Sequence, residues 1–409
     1  MPVRTSPADD GPQPDEGPSI AASNHQRHHA RAAWPDRRLA DLLQIEHPLV
    51  LAPMAGLGTV ELAAAVCQAG GLGSIGCAAM RPEFATQAIE RLRSLTKLPI
   101  NANFFCHVPA RLDPQREQAW LERLEPYYRE FGLDPSLPAP RTDFPPFDDD
   151  MCRVVEAVRP EIVSFHFGLP EPSLLTRVKA AGCRVMSSAT GVEEAGWLEE
   201  RGADAIIAQG AEAGGHRGMF LAADMDAETA RQSGTLALVP QIVDAVDVPV
   251  IAAGGIADAR AISAAFALGA SGVQMGTAYL LCPEAATPPL YRQALRGPDA
   301  AVTVLTSVFT GWPARVLANR AASEVGPILD AMPDFPLPMA ALALLRAKAE
   351  ERGSIDFTPL WAGQAAALCR EMPAEILTRA LADETLKRFR QFAEGVGRDG
   401  LPADNCRPA

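Results

Sequence analysis

The chain has 409 residues, 48% hydrophobic and 21% charged, enough for one large barrel or two ordinary domains. Its 37 basic and 50 acidic residues leave a net charge of −13, which argues against DNA, RNA or an anionic membrane surface as a partner. Its 8 cysteines show no C-x-x-C spacing, so they read neither as a zinc site nor as a disulfide framework, and no metal is expected. No apolar run reaches the roughly 18 residues of a membrane span. The start of the chain lacks the basic-then-apolar order of a signal peptide, so the expected location is cytoplasmic.

Residues 1–36 are rich in Pro, Asp, Ser and His and almost free of aliphatic side chains. Such a stretch cannot bury enough apolar area to offset its ordering entropy and reads as a disordered tail. Its removal through residue 34 is expected to leave stability unchanged. His25, His28 and His29 within it read as solvated.

From residue 39 short apolar runs alternate with Ala-rich stretches of helical period. The runs predict strands at 49–52, 73–75, 100–102, 162–165, 184–186, 205–208, 250–252 and 273–275. Helices are predicted at 60–69, 82–95, 171–181, 192–201, 236–245 and 258–268, several ended by a glycine (Gly70, Gly182, Gly202, Gly269). Eight strand–helix units in succession imply parallel strands and predict an α/β fold, a (β/α)8 TIM barrel over 37–283, with an open doubly wound sheet as the alternative. The long connection between 103 and 162 carries a helix near 115–130 and a Pro-rich stretch at 135–146, and is expected to shape a pocket or lid. After Cys282 the rhythm stops. Residues 284–409 read as a mostly helical substrate or cap domain, with helices near 339–351 and 358–370.

Barrel enzymes build their sites at the C-terminal ends of the strands. After the seventh predicted strand stand Ala253, Gly254 and Gly255, and after the eighth Met275, Gly276 and Thr277. Glycines at these two loops free backbone amides to approach a phosphate, so a phosphate-bearing cofactor is expected. After the sixth strand comes Gln209-Gly-Ala-Glu-Ala-Gly-Gly215-His216-Arg217-Gly218, whose glycines exclude a helix and hold His216, a candidate acid–base group, at the mouth. Arg217 could meet a phosphate or a substrate carboxylate, though most arginines do neither. Pro53, Met54 and Ala55 follow strand one, Asn103 strand three, and Ser187 and Ser188 strand five; they could line a flat ring. His166 and His107 are candidate substrate contacts, with a packed histidine an equal reading for each. His47 lies at the other end and reads as structural. The chain has no P-loop, nucleophile elbow or zincin motif.

The segments APMAG, INANFF, AQGAEAGGHRG, PVIAAGGIADAR, GVQMGTAYL, FTGWPARVLANR and LWAGQ, in this order from about Leu39 to Arg370, resemble nitronate monooxygenases, once called 2-nitropropane dioxygenases, of the FMN-containing class I. The resemblance implies that His216 is the catalytic base and that Gly254, Gly255, Gly276 and Thr277, helped by Ala253 and Met275, hold the FMN phosphate. It places Pro53, Met54, Ala55, Asn103, Ser188, Gln209, Gly215 and Gln364 around the flavin. The chain departs from many relatives in reading APMA for QGGM, and from some in Ser188, where they carry a lysine. The implied reaction oxidises an alkyl nitronate, such as propionate 3-nitronate, with O2 to a carbonyl compound and nitrite through a flavin semiquinone. The same signature occurs in FMN-dependent enoyl-ACP reductases that use NAD(P)H, which is the alternative. A homodimer is left open.

Overall fold

The computed structural model describes residues 2, 33–134, 144–222, 224–329 and 332–396. Its centre is a ring of parallel strands: β1 (Leu49–Leu51), β2 (Gly73–Gly76), β3 (Ile100–Phe105), β4 (Ile162–His166), β5 (Arg184–Ala189) and β6 (Ala205–Gln209). Past the two-residue β7 (Gly215–His216), β8 (Val250–Ala253) and β9 (Gly272–Met275) complete it. The pairing order is β1-β9-β8-β6-β5-β4-β3-β2. Closure comes at Val50 and Leu72, where the Leu51 amide donates to the Leu72 carbonyl and the Leu72 amide to the Leu49 carbonyl, both at 2.9 Å. The eight-stranded α/β barrel predicted from the alternation is therefore present, and the open sheet is not.

Strands covered on both faces need apolar residues at every position. In β6, Ala205 and Ile207 point inward with Val50, Ile162, Met186 and Ile251, while Ile206 and Ala208 face the helices. Helix Arg38–Leu43 plugs the N-terminal end with Leu39, Ala40 and Leu43. Several strands run further than their apolar runs. β3 continues to Phe105 because Asn103 pairs with Ser164 and Phe104 with Phe165, an inward-polar, outward-apolar alternation.

The layer over the barrel mouth is built from two distant pieces. Helix Pro114–Phe131, inside the connection from β3 to β4, shares a core with helix Pro338–Glu351: Trp120, Leu124 and Tyr128 pack with Ala341, Leu342, Leu345 and Phe357. Beside them β10 (Thr303–Thr306) and β11 (Ala314–Leu317) form an antiparallel sheet with β7. The last helix, Ala374–Val396, sits elsewhere. It packs between helices Val60–Gln68 and Ala259–Ala267 of the outer ring, with Leu377 and Leu381 in the barrel core and Thr378 2.9 Å from the Tyr279 hydroxyl. It fills the outer position that follows β9.

The tail reading is corrected at its end. Trp34 is 6% exposed, its indole N–H donates to His47 Nδ1 at 3.3 Å, and its ring lies 5.2 Å from Phe266 and 6.1 Å from Phe389. One large aromatic with ready partners outweighs the ordering cost that the surrounding polar composition suggests. Residues 3–32 lie outside the described residues, as do 135–143 of the Pro-rich stretch. Among the described residues no helix is long and apolar enough to cross a membrane, and no His, Cys, Asp and Glu cluster could hold a metal.

Candidate active site

A cavity of about 390 Å³ opens at the C-terminal ends of the barrel strands. It gathers Pro53, Met54 and Ala55 after β1, Asn103 on β3, His166 and Ser188 on β4 and β5, and Gln209, Gly215 and His216 on β6 and β7. Opposite stand Ala253 at the end of β8 with Gly254 and Gly255 after it, and Met275 at the end of β9 with Gly276 and Thr277 after it. Two expected residues lie apart. The Gln364 side chain is exposed, only its neighbours Gly363 and Ala365 reach the cavity, and its amide donates to the Glu212 carbonyl at 3.0 Å. His107 lines a neighbouring cavity, with Nε2 3.0 Å from the Phe144 carbonyl.

The amides of Gly254, Gly255, Gly276 and Thr277 reach no protein acceptor among the described residues. Gly254 has φ +118°, and a Cβ there would stand 2.9 Å from Thr235 Oγ1 and 3.0 Å from the Ala213 nitrogen, so glycine is required. Free N–H groups at two adjoining strand ends, just ahead of helix Ala259–Ala267, suit a phosphate. Glu212 also borders the cavity, but its carboxylate is turned away. It accepts from the Thr235 amide at 2.8 and 2.9 Å and from the Thr235 hydroxyl at 2.9 Å. There it caps helix Thr235–Val243, whose N-terminal dipole favours a negative charge.

The glycine-rich turn is held from three sides. Gln209 accepts the Gly218 amide at 2.7 Å through Oε1 and donates through Nε2 to the His216 carbonyl at 2.9 Å. That carbonyl also takes His166 Nε2 at 3.2 Å. A carbonyl only accepts, so His166 carries its proton on Nε2, and Nδ1 accepts from Ser188 Oγ at 2.5 Å. Both nitrogens of His166 are thus spent on protein groups. Arg217 is fully buried and points away from the cavity, its guanidinium on the carbonyls of Gly210 and Gln209, each at 2.6 Å. The reading of Arg217 as a phosphate or carboxylate contact is therefore set aside. Its amide donates to Pro313 at 2.8 Å, continuing the β7–β11 ladder, so it faces opposite to His216.

His216 Nε2 lies 3.0 Å from Thr310 Oγ1, and Nδ1 has no partner among the described residues. Its ring is 5.0 Å from Trp361 and 5.3 Å from Phe335. Burial, reinforced by the imidazoles of His166 and His107, pushes its pKa down to about 3; burial brings His166 to about 4. Both rings are neutral near pH 7, and a neutral imidazole with an open nitrogen is the form that accepts a proton.

Some lining residues escaped the sequence reading. Gln274 lies on β9, between Val273 and Met275 of the outer core, so period-2 alternation turns it inward. Its Oε1 is buried without a partner. Alternation alone could have found it. Thr310, Phe335, Met339 and Trp361 also line the cavity, but they come from the late segment, where no local pattern announces which side chains turn toward the barrel.

A model of the family described as nitronate monooxygenase matches residues 36–384. The nitronate monooxygenase of Pseudomonas aeruginosa is 46% identical over 349 residues, covering 85% of this chain and 98% of its own. That of Paraburkholderia phytofirmans is 44% identical over 364 residues, covering 87% and 98%. Among solved structures, nitroalkane oxidase from Streptomyces ansochromogenes superposes with a TM-score of 0.78 at 37% identity, over 87% of this chain and 99% of its own. FabK from Thermotoga maritima gives 0.64 at 31% identity, over 88% and 98%. A match running through the whole barrel and the layer above it, at these identities, makes the chain a member of the nitronate monooxygenase family and an oxidoreductase.

Proposed function

We propose that this protein is an FMN-dependent nitronate monooxygenase of the cytoplasm, converting alkyl nitronates and O2 to carbonyl compounds and nitrite. The observation that carries the reading is the open Nδ1 of a neutral His216 in the same cavity as four unpaired amides. The amides of Gly254, Gly255, Gly276 and Thr277 would hold the FMN phosphate, and Gln274, Asn103 and the turn Pro53–Ala55 offer polar and backbone groups to the rest of the cofactor. When bound, FMN supplies the electron acceptor and the reaction with O2. His216 takes the α-proton of a neutral nitroalkane at Nδ1. Thr310 Oγ1 accepts a hydrogen bond from its Nε2–H and donates its own O–H to the Trp312 carbonyl at 3.3 Å, which keeps the Nε2 proton in place and Nδ1 open. His166 and Gln209, both on the His216 carbonyl, fix the ring's position, and Phe335 and Trp361 keep water from it. A preformed nitronate has already lost the proton and needs no base.

The test supplies FMN-loaded protein with ethyl nitronate or propionate 3-nitronate in air. Nitrite release matched by oxygen uptake, with no NADH oxidation, is expected. His216→Ala should keep its FMN and lose about 10²-fold or more with neutral nitroalkanes, and far less with nitronates. NADH consumption driven by an enoyl thioester, without nitrite, would replace this reading by the FMN-dependent enoyl-ACP reductase.

A further inference from the structure

We propose that Phe167 is a positioning residue for the base: its strained backbone holds its ring against His166 and, through His166, keeps the His216 imidazole in place. The inference rests on the reading of His216 as the proton acceptor.

Among the described residues, three other than glycine stand at positive φ: Gln44, Arg159 and Phe167. Gln44 and Arg159 each end a helix, where the left-handed conformation is ordinary. Phe167 has no such reason. It follows the last residue of β4 at φ +66°, in a region where Cβ crowds the backbone and only glycine or a short polar residue sits easily. Strain of this kind persists only where the surroundings enforce it, and it gathers at working sites.

The consequence is a change of direction. Alternation along β4 turns Ser164 and His166 toward the cavity and Val163 and Phe165 toward the helices. An extended Phe167 would follow Phe165 outward. The left-handed turn brings its ring back among the aromatic side chains of the barrel mouth, where it is 3% exposed. The turn is pinned to β5, because the Ser187 hydroxyl donates to the Gly168 carbonyl at 2.7 Å.

The Phe167 ring lies 4.4 Å from the His166 ring and 5.0 Å from Phe105, which is itself 5.4 Å from His166, so the three rings close a triangle. Trp312 backs Phe167 at 5.1 Å, and His216 is 6.2 Å away. His166 needs this packing. Its hydrogen bonds run from its two ring nitrogens, to Ser188 Oγ at 2.5 Å and to the His216 carbonyl at 3.2 Å. Two such bonds leave the ring free to tilt about the line through those nitrogens, and the second is long for its kind. The neighbouring aromatic rings remove the tilt, so the carbonyl of His216, and the imidazole attached to the same residue, are held in one position.

The experiment compares nitroethane, which needs the base, with ethyl nitronate, which does not, on the FMN-loaded enzyme. Phe167→Leu and Phe167→Met keep the left-handed backbone cost and lose the ring. With nitroethane kcat should fall about tenfold or more, since a misplacement of about 1 Å can cost about 10²-fold, while KM and the turnover of ethyl nitronate stay near the wild type's. Phe167→Tyr keeps the ring and should keep the rate. Nitrogen NMR spectra of histidine-labelled protein add a readout apart from turnover. His216 should show one neutral tautomer in the wild type, with the proton on the nitrogen facing Thr310, and a mixture in the ringless variants. Bound flavin and melting temperature check that each variant is folded. A folded ringless variant that slows both substrates equally, or neither, overturns the proposal, as does a tyrosine variant no faster than the leucine one. Two tautomers of His216 in the wild type overturn it without any variant. His216→Ala is the control: if it too treats the two substrates alike, the failure lies in the base reading beneath.

Discussion

Arg217 and His216 are consecutive, yet one holds the glycine-rich turn from behind while the other faces the cavity. Burial and the neighbouring Arg315 lower the Arg217 pKa to about 9, and its fork meets three acceptors: Gly210 O, Gln209 O and, at 2.5 Å, Gln232 Oε1. A lysine cannot span three divergent acceptors from one nitrogen. Arg217→Lys should leave two carbonyl or amide oxygens unpaired at about 1–3 kcal/mol each, lowering the melting temperature markedly in a calorimetric scan. A melting temperature equal to the wild type's would show that these oxygens need no such donor. The strand-end rule brought the cavity residues that follow the barrel strands, such as Pro53, Gly254 and Gly276, within reach of sequence reasoning, because backbone position follows from the repeat. It could not orient Arg217, whose direction is set by pairing with β11 a hundred residues away.

At the scale of elements, the barrel strands were legible because each is a two-faced buried run, while β7, β10 and β11 were not. They are two to four residues long and owe their existence to each other. The C-terminal helix was read with the cap because it follows it in sequence, but its apolar stripe belongs to the barrel's ring. Trp34 joins it there, between Phe266 of helix Ala259–Ala267 and Phe389 of helix Ala374–Val396. Truncation before residue 33 and truncation after residue 34 are thus different experiments. The second removes a buried indole and should cost about 3–5 kcal/mol, visible as a lower urea midpoint, while the first should not. Equal midpoints for the two truncations would mean that the aromatic cluster closes over without Trp34.

At the scale of the whole molecule, the buried imidazoles couple folding to pH. An unfolded histidine titrates near 6.5, whereas His166 and His216 hold out to about 4 and about 3 in the folded state. Between those values the unfolded chain binds protons that the folded chain refuses. Stability therefore rises with pH across that window and levels off above it. Burial lowers His107 and His47 in the same direction, and surface carboxylates held low by arginines, such as Glu371 beside Arg296, add to the slope only near pH 4. Glu194, raised by burial, opposes them. Each deeply depressed histidine contributes about 1.4 kcal/mol per pH unit below about pH 6. Urea unfolding at pH 8.5, 7.5 and 5.0 should accordingly give nearly equal stability for the first pair and a clear drop for the last. His166→Gln, which removes one of the two groups, should shallow the drop whatever it does to absolute stability. A wild-type curve flat from pH 7.5 to 5.0 would mean that the two rings take protons in the folded state, and that His216 is charged, with no free lone pair, at the lower end of that range.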